Sequence, residues 1–221
     1  MKKIKAVIFD LDGTLLDSLC DLHISVNAAC EAHGFPAHTK DEVCSYVGNG
    51  VYKLIERAIP DGDKNEKFES TLAFFKEHYA LHMYDHTGAY EGIYEALDTL
   101  LAEGYKLAVV SNKFDLAVRE LCQRFFPRHI EVAIGECEAK GIKKKPAPDT
   151  VIAALKELSL TAEEAVYVGD SDVDVLTAKN SNMPCISVLW GFRSKDFLES
   201  VGASVFALTA PELVEKIKEL G

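Results

Sequence analysis

Lys5-Ala6-Val7-Ile8-Phe9-Asp10-Leu11-Asp12-Gly13-Thr14 is the stretch that decides the fold. Within the apolar run from Ile4 to Phe9, Lys5 to Phe9 reads as a buried strand, because it is short, largely aliphatic and stopped by polar turn residues. Such a strand delivers two carboxylates, a glycine turn and a hydroxyl to one point. Carboxylate oxygens suit a hard cation such as magnesium, which keeps few protein ligands and shares its shell with phosphate. Acidic pairs after strands also serve as turn formers and helix caps, so the meaning of Asp10 and Asp12 rests on what the rest of the chain brings.

Working outward, three further segments have the same strand character: Lys106 to Val110, Ala165 to Val168 and Cys185 to Val188, with a weaker one at His129 to Ile134. Amphipathic helices are expected between them at Tyr90 to Ala102, Asp115 to Phe125, Pro148 to Leu158 and Val173 to Asn180, and a last one from Pro211 to Leu220. Strand alternating with helix at this spacing predicts an α/β fold, a Rossmann-like parallel sheet. One region breaks the alternation. Residues 17–86 contain no strand pattern but helical ones at Leu22 to His33, Lys40 to Val47, Val51 to Ile59 and Glu66 to Met83. The expected organisation is a core of residues 1–16 plus 87–221 with an inserted all-helical domain, 17–86, standing over the sheet edge.

The 221 residues carry 35 acidic against 24 basic side chains, a formal charge of −11, which argues against an extended nucleic-acid or anionic-membrane surface. An anionic ligand must therefore be held by local cations. Met1-Lys2-Lys3 before the first apolar run superficially resembles a leader. The run is too short for one, however, and is broken by Asp10 and Asp12. The six cysteines show no C-x-x-C spacing and read as small buried hydrophobes in a reducing cytoplasm, not as a disulfide or zinc framework. His78, His82 and His86 have i, i+4 spacing, but a polar helix face explains them better than a metal.

In a doubly wound sheet, ligands bind beyond the carboxyl ends of the strands. Three expected strands end in complementary chemistry: Asp10 and Asp12; Ser111 and Asn112; and Gly169-Asp170-Ser171-Asp172-Val173-Asp174. Lys145 precedes Pro146-Ala147-Pro148 in a stiffened loop. These motifs, in this order, resemble the four motifs of the haloacid dehalogenase-like superfamily, and the helical insertion resembles that family's C1 cap. Within it, Tyr46-Val47-Gly48-Asn49-Gly50, Leu54 and Glu56-Arg57-Ala58 are similar to the phosphoglycolate phosphatase branch.

The resemblance implies a magnesium-dependent phosphatase acting on a small phosphate monoester, with no nucleic-acid or membrane partner. Asp10 would be the nucleophile that forms an aspartyl-phosphate, and Asp12 the general acid and base. The Asp10 carboxylate, the Asp12 backbone carbonyl and Asp170 would hold the metal, with Asp174 orienting its surroundings. Thr14, Ser111, Asn112 and Lys145 would bind the phosphoryl oxygens. Gly48, Asn49, Gly50 and Arg57 would touch the leaving group, and Arg193 is a further candidate contact. The second carboxylate argues against a dehalogenase, where no leaving alcohol needs a proton. A β-phosphoglucomutase-like mutase and a pyrophosphatase share the same motifs. Outside the family, a phosphoaspartate receiver combines similar groups, although the insertion and Asp12-Gly13-Thr14 speak against it.

Overall fold

The computed structural model describes residues 4–136 and 141–221. In chain order the elements are β1 (Ala6–Phe9), β2 (Leu16–Asp17), α1 (Leu19–His33), α2 (Lys40–Tyr46), α3 (Val51–Ala58), α4 (Phe68–His82), β3 (Gly88–Ala89), α5 (Ile93–Ala102), β4 (Lys106–Phe114), α6 (Asp115–Phe125), β5 (Val132–Glu136), α7 (Asp149–Leu158), β6 (Ala165–Gly169), α8 (Asp172–Asn180), β7 (Cys185–Val188), α9 (Lys195–Ser200), β8 (Phe206–Ala207) and α10 (Ala210–Glu219). Six strands form one parallel sheet in the order β5-β4-β1-β6-β7-β8. The α/β class with a mostly parallel sheet is thus as the alternating pattern predicts.

The sheet is apolar on both faces, as a parallel sheet flanked by helices must be. Ala6, Ile8, Ala108, Val110, Ala165 and Tyr167 share one buried cluster with Val151, Ala154, Leu155 and Leu158 of α7. The alternate positions Val7, Phe9, Leu107, Val109, Val166 and Val168 are equally inaccessible. This double burial explains why the strands read as continuous apolar runs without alternation.

The chain divides into two compact units, Met1–Leu16 with Ala89–Gly221, and Asp17–Gly88. The second unit is built from α1 to α4. Its α2 opens on a reciprocal cap in which the Glu42 amide donates to the Thr39 hydroxyl and the Thr39 amide donates to the Glu42 carboxylate. Gly34 ends α1 at φ +76°, the left-handed geometry that favours glycine after a helix.

Several elements differ from the sequence expectation. β4 continues past Val110 through Ser111, Asn112 and Lys113 to Phe114, and its register against β5 shifts between Val110 and Phe114. β5 starts at Val132 instead of His129. The short elements β2, β3, β8 and α9 have no counterpart among the expectations, since two-residue strands and a six-residue helix are too short to show a period. Among the described residues no helix is long and apolar enough to cross a membrane.

Candidate active site

The order of the sheet places the site. From β1 the chain proceeds to β4 and β5 on one side, then crosses to β6, β7 and β8 on the other. The carboxyl end of β1, between β4 and β6, is therefore where the strand order reverses and a crevice opens. Asp10 leaves β1 with its amide still bonded to the Val168 carbonyl of β6 at 2.9 Å. Asp170 follows β6, and Ser111 to Lys113 lie in the irregular end of β4.

Four of the expected groups converge there. The Lys145 ammonium lies 2.9 Å from Asp10 Oδ1 and 2.7 Å from Asp174 Oδ1. It also donates to the Tyr167 hydroxyl at 3.1 Å, and that hydroxyl donates to Asp174 Oδ1 at 2.9 Å. Asp10, Asp170 and Asp174 are all buried, with one carboxylate oxygen of each inside a 4.8 Å cluster. Asp174 is the most committed of the three. Its Oδ2 accepts from the Ser171 hydroxyl at 2.6 Å and from the Ser171 and Asp170 amides, so it ties the start of α8 to Lys145. Asp10 Oδ1 accepts from the Leu11 amide at 2.7 Å, whereas its Oδ2 accepts no hydrogen bond from the described residues.

Asp170 is gripped from two sides. Thr14 Oγ1 donates to its Oδ1 at 3.0 Å, and the Phe192 amide donates to its Oδ2 at 2.7 Å. Gly13 makes this approach feasible: at φ +83°, a Cβ there would stand 2.4 Å from Asp170 Oδ2. A Cβ at Gly191 would meet the same side chain at 2.4 Å. The segment after β7 thus closes on the site through backbone, and Trp190 Nε1 fixes it by donating to the Thr14 carbonyl at 3.0 Å.

Two residues assigned to phosphate from sequence are engaged within the site itself. The Thr14 hydroxyl is fully buried and points at Asp170. The Asn112 amide donates to the Lys145 carbonyl at 3.0 Å and so holds the lysine loop against β4. Ser111 is buried beside them, its Oγ accepting from the Lys113 amide at 3.3 Å. Lys113 was not among the expected site residues. Its ammonium donates to both oxygens of Asp12, each at 2.9 Å, in a pair that is almost inaccessible. Its strand position was hidden because Ser111-Asn112-Lys113 reads as the polar end of a strand. Tyr167 was hidden for the opposite reason: its place inside the continuous apolar run of β6 assigns it to the core, where its ring does lie.

The electrostatics follow from burial. Removal from water pushes the Asp10 carboxyl up to about 7, with Asp174 adding to the shift and Lys145 opposing it. Burial, again with Asp174 and then Asp10, raises Asp170 well above the usual carboxylate range. For Lys145 burial disfavours the charged form, but Asp10 and Asp174 outweigh it and the net direction is upward. Three buried carboxylates cluster and two of them pair with the one ammonium, so when all three are ionised the set carries an excess of two negative charges, and its ligand atoms are all oxygen. A hard divalent cation fits that charge and that donor set.

The other expected residues lie in the second unit or at the margin. The Arg57 guanidinium donates to the Tyr46 carbonyl and to Asn49 Oδ1, both at 2.7 Å, bracing the turn that contains Gly48 and Gly50. Arg193 sits 3.9 Å from Asp172. His78 pairs with Ser25 and His82 with Asp85, whereas His86 groups with Cys20 and Asp21. Among the described cysteines Cys30 and Cys122 are buried, but Cys20, Cys44 and Cys185 are partly accessible, which corrects the expectation of uniformly buried thiols. Cys137 lies outside the described residues.

Acidic side chains and a lysine thus meet at the switch point of a parallel sheet in an α/β fold. Residues 7–188 match the model of the haloacid dehalogenase-like hydrolases, and the chain belongs to that family. It is 32% identical over 223 residues to the phosphoglycolate phosphatase of Chromobacterium violaceum, covering 99% of this chain and 98% of that protein. It is 34% identical to the phosphoglycolate phosphatase of Vibrio cholerae, covering 87% and 88%. A crystal structure from Lactobacillus delbrueckii subsp. bulgaricus, provisionally named a phosphoglycolate phosphatase, superposes with a TM-score of 0.93 at 38% identity over 97% of this chain and 98% of that one.

Proposed function

We propose that the protein is a magnesium-dependent phosphatase that hydrolyses a small phosphate monoester through an aspartyl-phosphate on Asp10, with 2-phosphoglycolate as the preferred substrate. The observation that carries this reading is the buried carboxylate set Asp10, Asp170 and Asp174, with Lys145 paired to Asp10 and Asp174 and with Asp10 Oδ2 open to a reacting atom. The substrate choice rests on the phosphoglycolate phosphatases to which the chain is similar over nearly its whole length.

In this mechanism Asp10 and Asp170 supply metal-binding carboxylates and Asp12 its backbone carbonyl. Bound magnesium neutralises phosphoryl charge and fixes its orientation. Asp10 Oδ2 attacks phosphorus and the alcohol leaves, taking a proton from Asp12. Asp12 then removes a proton from the water that cleaves the acyl phosphate, returning Asp10 to its carboxylate. To perform either transfer Asp12 must exchange Lys113 for the reacting oxygen. Lys145, held at two carboxylates, balances charge at the transferring group, and Ser111 with the neighbouring amides receives its oxygens. Thr14, Asn112, Tyr167 and Asp174 position these groups. The helical unit acts as the cap domain, and Gly48, Asn49, Gly50 and Arg57 set leaving-group selectivity.

Turnover of 2-phosphoglycolate, pyrophosphate, β-glucose 1-phosphate and para-nitrophenyl phosphate by the purified protein with magnesium is the direct test. The expected result is the highest kcat/KM for 2-phosphoglycolate, with repeated turnover of para-nitrophenyl phosphate. Conversion of glucose 1-phosphate to its 6-phosphate would identify a mutase instead. A single slow phosphorylation without turnover would identify a receiver.

Metal removal has a pH signature. An Asp10 carboxyl raised to about 7 in the folded state, from a usual value near about 4, favours folding in its protonated form. In metal-free protein that contribution is full below about pH 4 and is lost as pH rises through about 7. Asp170 acts in the same direction. Magnesium must displace these protons, so the rise in Tm on adding it is expected to be small at pH 5 and large at pH 8. EDTA abolishes activity and magnesium restores it. An equal Tm gain at both pH values would remove the metal from this cluster.

A further inference from the structure

The described residues contain a second group of metal-ligating side chains, sharing no residue with the carboxylate cluster: Cys20, Asp21 and His86. All three belong to the Asp17–Gly88 unit. Cys20 and Asp21 lie in the first turn of α1, and His86 lies in the segment that leads into β3. One ligand atom from each falls within 4.8 Å of the others.

Asp21 is the fixed point. It is 1% exposed and makes no ion pair among the described residues. The His86 amide donates to its Oδ1 at 3.0 Å, and the Thr87 amide and hydroxyl donate to its Oδ2 at 2.9 and 2.7 Å. These bonds orient the carboxylate as outer hydrogen bonds orient a metal-binding one, and leave Oδ1 a lone pair to give. They also clamp the backbone of His86, the residue that carries the imidazole. The Cys20 thiol and the His86 ring make no hydrogen bond to a described residue; Cys20 is partly accessible and His86 is exposed. A buried, oriented carboxylate thus faces two uncommitted ligand atoms that solvent can reach.

We propose that Cys20 Sγ, the Asp21 carboxylate and a ring nitrogen of His86 form a zinc site, with water as the fourth ligand. A thiolate, an imidazole and a carboxylate make the donor set of a tetrahedral zinc centre, at bond lengths of about 2.0–2.3 Å that draw the ligand atoms to roughly 3.5 Å of one another. The modest closure this needs is provided by χ rotations of Cys20 and His86. Magnesium avoids a sulfur and nitrogen set, whereas the all-oxygen cluster at Asp10 suits it, so the two sites sort metals by ligand softness. Binding releases the thiol proton to solvent and joins the beginning of the helical unit to its end.

The test uses untagged, metal-free, full-length protein in excess magnesium, titrated with cobalt(II) as a coloured zinc surrogate. A single equivalent is expected to give a thiolate-to-cobalt charge-transfer band in the near ultraviolet with tetrahedral visible bands, both erased by equimolar zinc. Cys20→Ser removes the charge-transfer band, and His86→Asn weakens zinc binding by about 10- to 100-fold or more. Cys44→Ser and Cys185→Ser leave the spectrum unchanged. Magnesium-dependent turnover and Tm of zinc-free Cys20→Ser match the wild type, which shows that the variant is folded. A wild-type spectrum without the charge-transfer band, or one that survives intact in folded Cys20→Ser, overturns the site whatever the reaction at Asp10 proves to be.

Discussion

Asp10→Asn is expected to lower turnover of every phosphate ester by about 10⁴-fold or more, the scale on which removal of a covalent nucleophile acts. The amide keeps the shape of the side chain and can still accept from the Leu11 amide and Lys145 at Oδ1. It cannot donate an electron pair to phosphorus as a carboxylate does. The fold should survive, and a further sign is testable. Burial pushes the native carboxyl up to about 7, so at pH 8 the metal-free protein carries a charge there that its surroundings disfavour. A neutral amide removes that cost while Lys145 keeps Asp174 at 2.7 Å. Metal-free Asp10→Asn should therefore have a Tm at pH 8 no lower than the wild type, together with a much smaller gain on adding magnesium. Near-native turnover in a correctly folded variant would take the nucleophile role away from Asp10. A loss of turnover accompanied by a collapse of Tm at all pH values would instead make Asp10 a structural residue.

The parts of the molecule that are legible in the sequence are those where one physical demand acts on a whole segment. Burial on both faces turned β1, β6 and β7 into uninterrupted apolar runs, and their ends fell within about a residue of expectation. The acidic residues after β1 and β6 were legible because polar groups following a buried strand must face its crevice. What remained hidden depended on geometry that no local pattern encodes. The irregular end of β4 carries Lys113 far enough to reach Asp12, one hundred and one positions away in the chain. Tyr167 serves two demands at once, filling the core with its ring and ordering Lys145 and Asp174 with its hydroxyl. Thr14, which the resemblance implies as a phosphate contact, donates its hydroxyl to Asp170 from the tight turn at Gly13, a pairing that no local pattern announces. Side chains that hold other side chains have no signature except the company they keep in three dimensions.

Asp12→Asn is expected to separate binding from proton transfer. Because Asp12 offers the metal only its backbone carbonyl in the proposed arrangement, magnesium should still raise the Tm, whereas kcat falls by about 10²- to 10⁴-fold, the range spanned by general acid–base catalysis. The loss should depend on the leaving group. An aliphatic alkoxide needs its proton when it departs, but para-nitrophenolate does not, so the first step with para-nitrophenyl phosphate should be little slowed. Hydrolysis of the acyl phosphate still needs a base, and the variant should release a burst of para-nitrophenolate and then stall. The substitution also removes the negative charge facing the buried Lys113 ammonium, and breaking such a pair costs up to about 3–5 kcal/mol. Asp12→Asn/Lys113→Met is the control for that cost: it should regain Tm without regaining rate. A double variant that recovers both would assign the single variant's defect to the ion pair, and a rate restored by saturating magnesium alone would assign it to metal binding. Either result would withdraw the proton-transfer role from Asp12.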